Sequence, residues 1–382
     1  MSKINNKMYK LAILTANPIQ YQAPLFKKIA EHPEIDLTVL FRSDEGVKEA
    51  IDDPGFGRKI KWDIPLLEGY NYIFLENSFS IFSQLKKEKY DAVLIHGWNC
   101  FTNWLAFLAS FIRNIPVFLH SESPLNQELL KPRWKIRVKK FILSWLFKRI
   151  SVFLYIGEKN KKFYQFYGVP EEKLFFCPYS VDNFRFINEA KKLKTKNLEL
   201  KANQITILFA GKLIEKKRPF DLLKAYKMLN TKYLIHNAHL TFVGDGILRP
   251  QLENYVKERD LKNVHFAGFK NQTELPEHYA MADIFVLPSG IGETWGLVVN
   301  EAMCFGLPVI VSNIVGCGPD LIKNNENGYI FPVGDIRKLT KRLADLIKNP
   351  EKRKKFGEKS FEIIQDYNYE KDIDGILTAL KQ

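Results

Sequence analysis

The 382-residue chain carries 57 Lys and Arg against 43 Asp and Glu, a net charge of +14, and 46% of its residues are hydrophobic. That length suits two domains of ordinary size, and the hydrophobic content excludes a largely disordered chain. The positive balance favours anionic partners, a class that takes in nucleic acid, anionic lipid and phosphorylated substrates.

No apolar run reaches the roughly 18–20 residues needed to span a bilayer. The longest, 104–119, is broken by Arg113, Asn114 and Pro116, and the run 141–156 is broken by Lys148 and Arg149. Residues 11–14 (LAIL) are too short for a signal-peptide core and read as a first strand. Cys100, Cys177, Cys304 and Cys317 have no close pairing and no zinc-like spacing. Reduced thiols and a cytoplasmic location are expected, with no metal site.

In chain order, apolar runs alternate with helical periods. Strands are expected at Leu11–Thr15, Leu37–Phe41, Ala92–His96, Val117–His120 and Val152–Ile156, with helices at Pro24–Ala30, Phe101–Phe111 and Arg133–Lys148. This alternation predicts a parallel, doubly wound sheet. After the first strand comes Asn17-Pro18-Ile19-Gln20-Tyr21-Gln22, either a plain turn before a helix or a set of side chains that meet a ligand. The stretch Asp53–Tyr70 is rich in glycine and aromatics, and reads as a lid over an acceptor or as an ordinary loop. Residues 131–149 hold eight Lys or Arg and no acid, interleaved with Trp134, Ile136, Val138 and the run Phe141 to Phe147. Such a helix can lie on an anionic membrane surface, or it can be the solvated face of a core helix.

Residues 191–201 (KKLKTKNLELK) are charged and weakly periodic, and are read as a linker. The expected divisions are therefore a domain over 1–190, a second over 202–365, and a terminal helix over 366–382. The second domain repeats the alternation, with strands at Ile205–Ala210, His239–Val243, Val264–Ala267, Ile284–Leu287 and Val309–Val311, and helices at Pro219–Asn230 and Leu248–Glu258. The fold class expected is α/β, with two doubly wound Rossmann-like domains facing a cleft. Ligands would bind at the carboxyl ends of the strands.

The richest segment is 288–312, PSGIGETWGLVVNEAMCFGLPVIVS. Its breakers and periods read as strand, loop, helix, strand. Glu293 falls in the loop and Glu301 about one turn into the helix. A helix N-terminus attracts anions through its free N–H groups and dipole. Carboxylates on either side of that point could hold hydroxyls flanking a bound diphosphate, although two glutamates at this spacing also arise by chance. Residues 209–219, FAGKLIEKKRP, place Lys212 and Lys217 after a strand and a glycine. Lysines there can meet a diphosphate as flexible point charges, or they form a solvated basic loop.

Taken with Thr241–Gly246 (TFVGDG), Val264–Lys270 (VHFAGFK) and 312–332 (SNIVGCGPDLIKNNENGYIFP), the stretch Phe209–Pro332 closely resembles the donor-site signature of family 4 glycosyltransferases, the retaining group 1 enzymes of GT-B fold. The resemblance implies a nucleotide-sugar donor and no metal or other cofactor. It implies that Glu293 binds the transferred sugar, that backbone N–H groups around Thr294, Trp295, Gly296 and Leu297 support sugar and phosphate, and that Glu301 holds the ribose. It makes Lys212 and Lys217 the diphosphate ligands, with Lys212 standing where the family usually has Arg. Phe269 and Lys270 would line the base pocket. The N-terminal domain would bind the acceptor, through Gln20, Tyr21 and Glu122, and His120 would orient the sugar, although a histidine at a strand end is otherwise often structural. The family commonly has a glycine-rich loop after its first strand, and this chain has none there. In the family the terminal helix crosses back onto the N-terminal domain.

The function expected is thus sugar transfer from a nucleotide-diphosphate sugar to an acceptor hydroxyl in polysaccharide, lipopolysaccharide or glycolipid assembly. The protein would be peripheral on the inner membrane face if the basic helix docks there. The alternatives are a nucleotide-sugar epimerase or phosphorylase of similar fold, a catalytically silent scaffold, and a basic binding protein. Nucleic acid is not an expected partner, because no recognition motif or stacking platform is present.

Overall fold

A computed structural model describes residues 7–47, 49–197 and 204–382. The chain divides into two compact units, one formed by residues up to Ile51, Ile64–Tyr179 and Tyr369–Gln382, the other by Asp52–Asp63 and Ser180–Asn368. The strands are β1 (Tyr9–Thr15), β2 (Ile35–Phe41), β3 (Ile51–Asp53), β4 (Arg58–Ile60), β5 (Asn71–Phe74), β6 (Ala92–His96), β7 (Val117–His120), β8 (Val152–Tyr155), β9 (Leu174–Phe176), β10 (Ile205–Ala210), β11 (Ala238–Val243), β12 (Val264–Gly268), β13 (Ile284–Leu287), β14 (Val309–Ser312) and β15 (Gly328–Phe331).

The first unit holds a seven-stranded sheet in the order β5-β2-β1-β6-β7-β8-β9, all parallel. β1 shows why it is covered on both faces. Leu11 and Ile13 pack with Phe26 and Ile29 of the helix Ala23–Ala30 and with Ile373 and Ile376 of the helix Tyr369–Leu380. Ala12 and Leu14 face the opposite core, with Phe107, Leu143 and Phe147. The period of two sends alternate residues to opposite faces, so a doubly covered strand reads as a continuous apolar run.

The second unit holds a six-stranded parallel sheet, ordered β12-β11-β10-β13-β14-β15. One face is sealed by Leu222, Tyr226, Leu339 and Leu343, which share a core with Ile207, Phe209, Leu240 and Val286 of the strands. In both sheets the winding reverses beside the first strand, between β1 and β6 and between β10 and β13. Loops diverge at such a point and leave a crevice at the carboxyl ends of the strands.

Two segments differ from the sequence reading. The helix Asn183–Asn197 covers much of what reads as a linker, and the rest of that stretch, 198–201, lies outside the described residues. Its charge hides an anchored start: Asn183 Nδ2 donates to the Ile364 carbonyl (3.0 Å), and Arg185 bonds Gln272 through both its carbonyl and its side chain. Residues 52–63, part of the stretch read either as an acceptor lid or as an ordinary loop, form most of a two-stranded β3–β4 ribbon that belongs to the second unit.

Candidate active site

In the second unit the loops leaving β10, β13 and β14 are stitched together. The Gly290 N–H donates to the Lys216 carbonyl (2.8 Å), the Gly316 N–H to the Glu293 carbonyl (3.2 Å), and the Cys317 N–H to the Trp295 carbonyl (3.1 Å). A Cβ at Gly316 would lie 1.7 Å from the Thr294 carbonyl oxygen, so only glycine permits this approach.

Within that frame Lys217 Nζ meets Glu293 Oε2 at 2.5 Å, with side chains 14% and 8% exposed. Removing either partner of so buried a pair would take from the other its nearest opposite charge. The pair spans the β10 and β13 loops, at the winding reversal, just before the helix Leu297–Cys304. The Trp295 side chain turns away into the core, where Nε1 donates to Asn300 Oδ1 (3.0 Å), so its backbone rather than its indole is placed toward the loop.

Glu301 is buried on the same helix and accepts a hydrogen bond from the Tyr279 hydroxyl (2.6 Å). Burial pushes its carboxyl up to about 7, against the opposing pull of that hydrogen bond and of the positive Arg185 and Lys217. One of its oxygens is therefore already engaged. Lys212 is engaged too: Nζ lies 2.8 Å from both carboxylate oxygens of Asp53 and over the Phe56 ring. Phe269 packs edge-on against Phe56, near Trp62, with the Arg58 guanidinium over its ring. Lys270 reaches Glu274 at 3.0 Å.

In the first unit, His120 ends β7 beside His96 at the end of β6, their rings 4.8 Å apart. Thr15 Oγ1 donates to Gln22 Oε1 (3.2 Å), and Gln22 Nε2 lies 3.1 Å from His96 Nδ1. An amide nitrogen can only donate, so this contact fixes Nδ1 of His96 as the acceptor. Burial holds His120 down to about 4, and burial together with its neighbour holds His96 well below its ordinary value, so both rings are neutral at pH 7. Tyr179 donates to Glu122 Oε1 (2.7 Å) and meets the Tyr21 ring edge-on. Gln20 lies half-buried on the same loop, outside these contacts.

Residues 190–362 match the family described as "Glycosyl transferases group 1", and residues 32–183 match "Glycosyltransferase Family 4". Over 268 residues the chain is 30% identical to the UDP-Gal:alpha-D-GlcNAc-diphosphoundecaprenol alpha-1,3-galactosyltransferase of Escherichia coli, covering 69% of this chain and 67% of that one. The chain belongs to the family 4, group 1 glycosyltransferases. This glycosyltransferase is also 23% identical to the capsular polysaccharide biosynthesis glycosyltransferase CapM of Staphylococcus aureus, over 74% of this chain and 77% of that one. Its fold is GT-B, as in the Anabaena protein HepE solved in complex with UDP, which matches with a TM-score of 0.74 at 17% identity, over 97% of this chain and 99% of that one. Several other curated relatives are matched over about half their length.

Sequence reasoning about this glycosyltransferase missed Asp53, Phe56, Tyr279 and Tyr179, and left His96 without a role. His96 carried a signal, because it ends a strand as His120 does. Asp53 and Phe56 lie in the glycine- and aromatic-rich stretch already noted, but nothing in the sequence pointed to their contacts, since only folding brings Asp53 and Lys212, 159 positions apart, together.

Proposed function

We propose that this glycosyltransferase moves a sugar from a nucleoside-diphosphate sugar to an acceptor hydroxyl, with retention at the anomeric carbon, in polysaccharide, lipopolysaccharide or glycolipid assembly. The observation that carries the reading is the buried Lys217–Glu293 pair at the winding reversal of the second sheet. Glu293 accepts hydrogen bonds from the transferred sugar, and the backbone around Thr294, Trp295 and Gly296 lines the sugar and phosphate. Leu297 opens the helix whose dipole faces the anion. Lys217 and Lys212 neutralise charge on the departing diphosphate, a form of electrostatic stabilisation. Phe269 and Lys270 border the base, and Glu301 the ribose. His120 orients the sugar, and Gln20, Tyr21 and Glu122 meet the acceptor.

In the step itself, the bond between the anomeric carbon and the β-phosphate oxygen breaks and its electron pair stays on the diphosphate. The acceptor oxygen bonds the same face of that carbon, and its proton passes to the leaving phosphate. Because the lysines supply the positive charge, transfer is expected to persist in EDTA. The names of the relatives make a UDP-sugar the donor to test first and a lipid-linked glycan the first acceptor.

A membrane-surface location is supported by the helix Arg133–Phe147. It buries Leu143, Leu146 and Phe147, while Trp134, Val138, Phe141 and Trp145 form an exposed stripe at helical spacing, with Phe141 82% exposed. Lys131, Lys135, Arg137, Lys148 and Arg149 are exposed around it. An apolar stripe flanked by cations suits the headgroup region of an anionic bilayer. Among the described residues no helix is long and apolar enough to cross a membrane.

The deciding experiment measures nucleotide release from UDP-, GDP- and ADP-sugars by wild type, Glu293→Ala and Lys217→Ala. Release from one donor, lost in both variants, is the expected result. The absence of both release and calorimetric binding with every donor would overturn the reading.

A further inference from the structure

The ribbon formed by β3 and β4 sits on two of the residues that the proposed donor site needs. Asp53 grips Lys212 through both carboxylate oxygens at 2.8 Å, and the Phe56 ring lies under the same ammonium. Phe56, Arg58 and Trp62 together pack against Phe269. The ribbon is fastened beyond these contacts. The Asn271 side-chain amide donates to the Lys61 carbonyl (2.8 Å), and Asp63 accepts from the N–H groups of Gln272 (3.1 Å) and Thr273 (3.0 Å) and from the Thr273 hydroxyl. At the turn, the Gly55 carbonyl oxygen would lie 2.9 Å from a Cβ at Gly246, whose φ is +155°. The ribbon thus covers the ends of β10, β11 and β12.

The two ends of the ribbon are held differently. Toward β12 it is fixed by hydrogen bonds to backbone. Toward β10 the hold is the Asp53–Lys212 pair, with side chains 24% and 34% exposed, together with the ring of Phe56. A partly exposed pair of this kind is weak and screened by salt. Lys212 is the proposed diphosphate ligand, and a carboxylate presents it with two anionic oxygens much as a phosphate would.

We propose that Asp53 stands in for a donor phosphate on Lys212, so that a nucleoside diphosphate binds by displacing the β3–β4 ribbon from this lysine. The inference rests on the donor-site reading above and deepens it. Donor binding then costs the free energy of one ion pair, and donor release restores the latch. Without donor, Lys212 is not an open anion site.

Asp53→Asn tests this cleanly. Asn keeps the Oδ1 that accepts from the Gly55 and Phe56 N–H groups at 2.8 and 3.2 Å, so the turn is retained while the charge is lost. UDP titrated calorimetrically into Asp53→Asn should bind about two- to fivefold more tightly than into wild type, the range expected for relieving one partly exposed ion pair. The gain should shrink with added salt. Lys212→Ala should bind UDP more weakly, and the double variant should show no gain over Lys212→Ala. Equal or weaker binding by Asp53→Asn would overturn the proposal, because Asp53 would then support Lys212 rather than compete for it. Amide exchange over residues 55–57 gives a readout without ligand. It should rise in both single variants relative to wild type, and should rise in wild type on adding UDP. Unchanged exchange in the variants, or added protection with UDP, would overturn the latch. If UDP, GDP and ADP all fail to bind, the donor-site reading falls, while the exchange of the ligand-free variants still judges the contact itself.

Discussion

At the carboxyl ends of β10 and β13 the second unit holds charge: the Lys217–Glu293 pair, the Lys212–Asp53 pair, and Glu301 within the field of Arg185 and Lys217. At the carboxyl ends of β1, β6 and β7 the first unit holds mostly uncharged hydrogen-bonding groups, His96, His120 and Gln22, with Tyr21 and Tyr179 beside a single carboxylate, that of Glu122. Burying a charge is costly unless it is paired, so its placement is informative. The strand ends of the two units therefore follow different rules: paired charges in the second, and hydrogen-bonded uncharged groups with a single carboxylate in the first.

The sharpest way to break the comparison is to neutralise the charged unit's buried pair. Glu293→Gln preserves shape but removes the negative charge beside Lys217. Transfer measured as nucleotide release is expected to fall by about 10³-fold, as when an aimed polar group is lost from an active site. An undiminished rate would show that the buried pair serves packing alone. Lys217→Ala should cost about 10²-fold. Because the two side chains touch, the double variant should lose far less than the product of the single losses.

In the neutral unit, His120→Ala is expected to lower kcat/KM by about 10- to 100-fold, mainly through sugar positioning. Its pH profile is the more telling measurement. With His120 held down to about 4 by burial, the ring does not titrate at the pH values, about 5.5 to 8, where an ordinary histidine would. Wild type should therefore show no step near the ordinary histidine value of about 6.5 that disappears in the variant. Such a step would mean that His120 itself takes on charge in the working pH range.

Glu293 and Glu301 were legible as candidates because they fall within one strand–loop–helix unit, whereas Lys217, 76 positions from Glu293, stood out through its place after a strand and a glycine and through the resemblance to the family. The sheet strands that were missed, such as β5 and β9, are three- or four-residue edge strands with little period to detect. The helix Asn183–Asn197 was hidden by its charge. Asp53 was unreadable for a different reason: its partner Lys212 lies in another part of the chain, and an acidic residue in a glycine-rich turn has a sufficient local explanation in the N–H groups of Gly55 and Phe56.

The exposed stripe of the helix Arg133–Phe147 sharpens the comparison in another direction, since it gives the first unit a charged surface distinct from its neutral strand ends. Replacing Phe141 and Trp145 together by Ser should reduce co-sedimentation with phosphatidylglycerol vesicles by about 10-fold or more, because two large apolar side chains would leave the interface. Both side chains are exposed, so folding should be little affected. Equal sedimentation of variant and wild type would leave no membrane role for the stripe.

The smallest expected effect is on stability, and it isolates Glu301, a buried acid of the charged unit whose close partner is a hydroxyl rather than a cation. Glu301 has its carboxyl pushed from 4.5 up to about 7, so between those pH values the folded protein holds a proton that the unfolded chain releases. By linkage its contribution to stability is greatest below the unfolded value of 4.5 and declines as pH rises toward 7, by up to about 3 kcal/mol. His96 and His120 carry the opposite dependence, with folded values below the ordinary one, so the whole-protein profile mixes the two signs. The difference between wild type and Glu301→Gln removes the histidines from the comparison. The melting temperature of the variant relative to wild type should climb by a few degrees from about pH 5 to about pH 8. A difference that stays flat with pH would mean that Glu301 is ionised in the folded protein throughout, and that the Tyr279 hydroxyl, Arg185 and Lys217 together outweigh its burial.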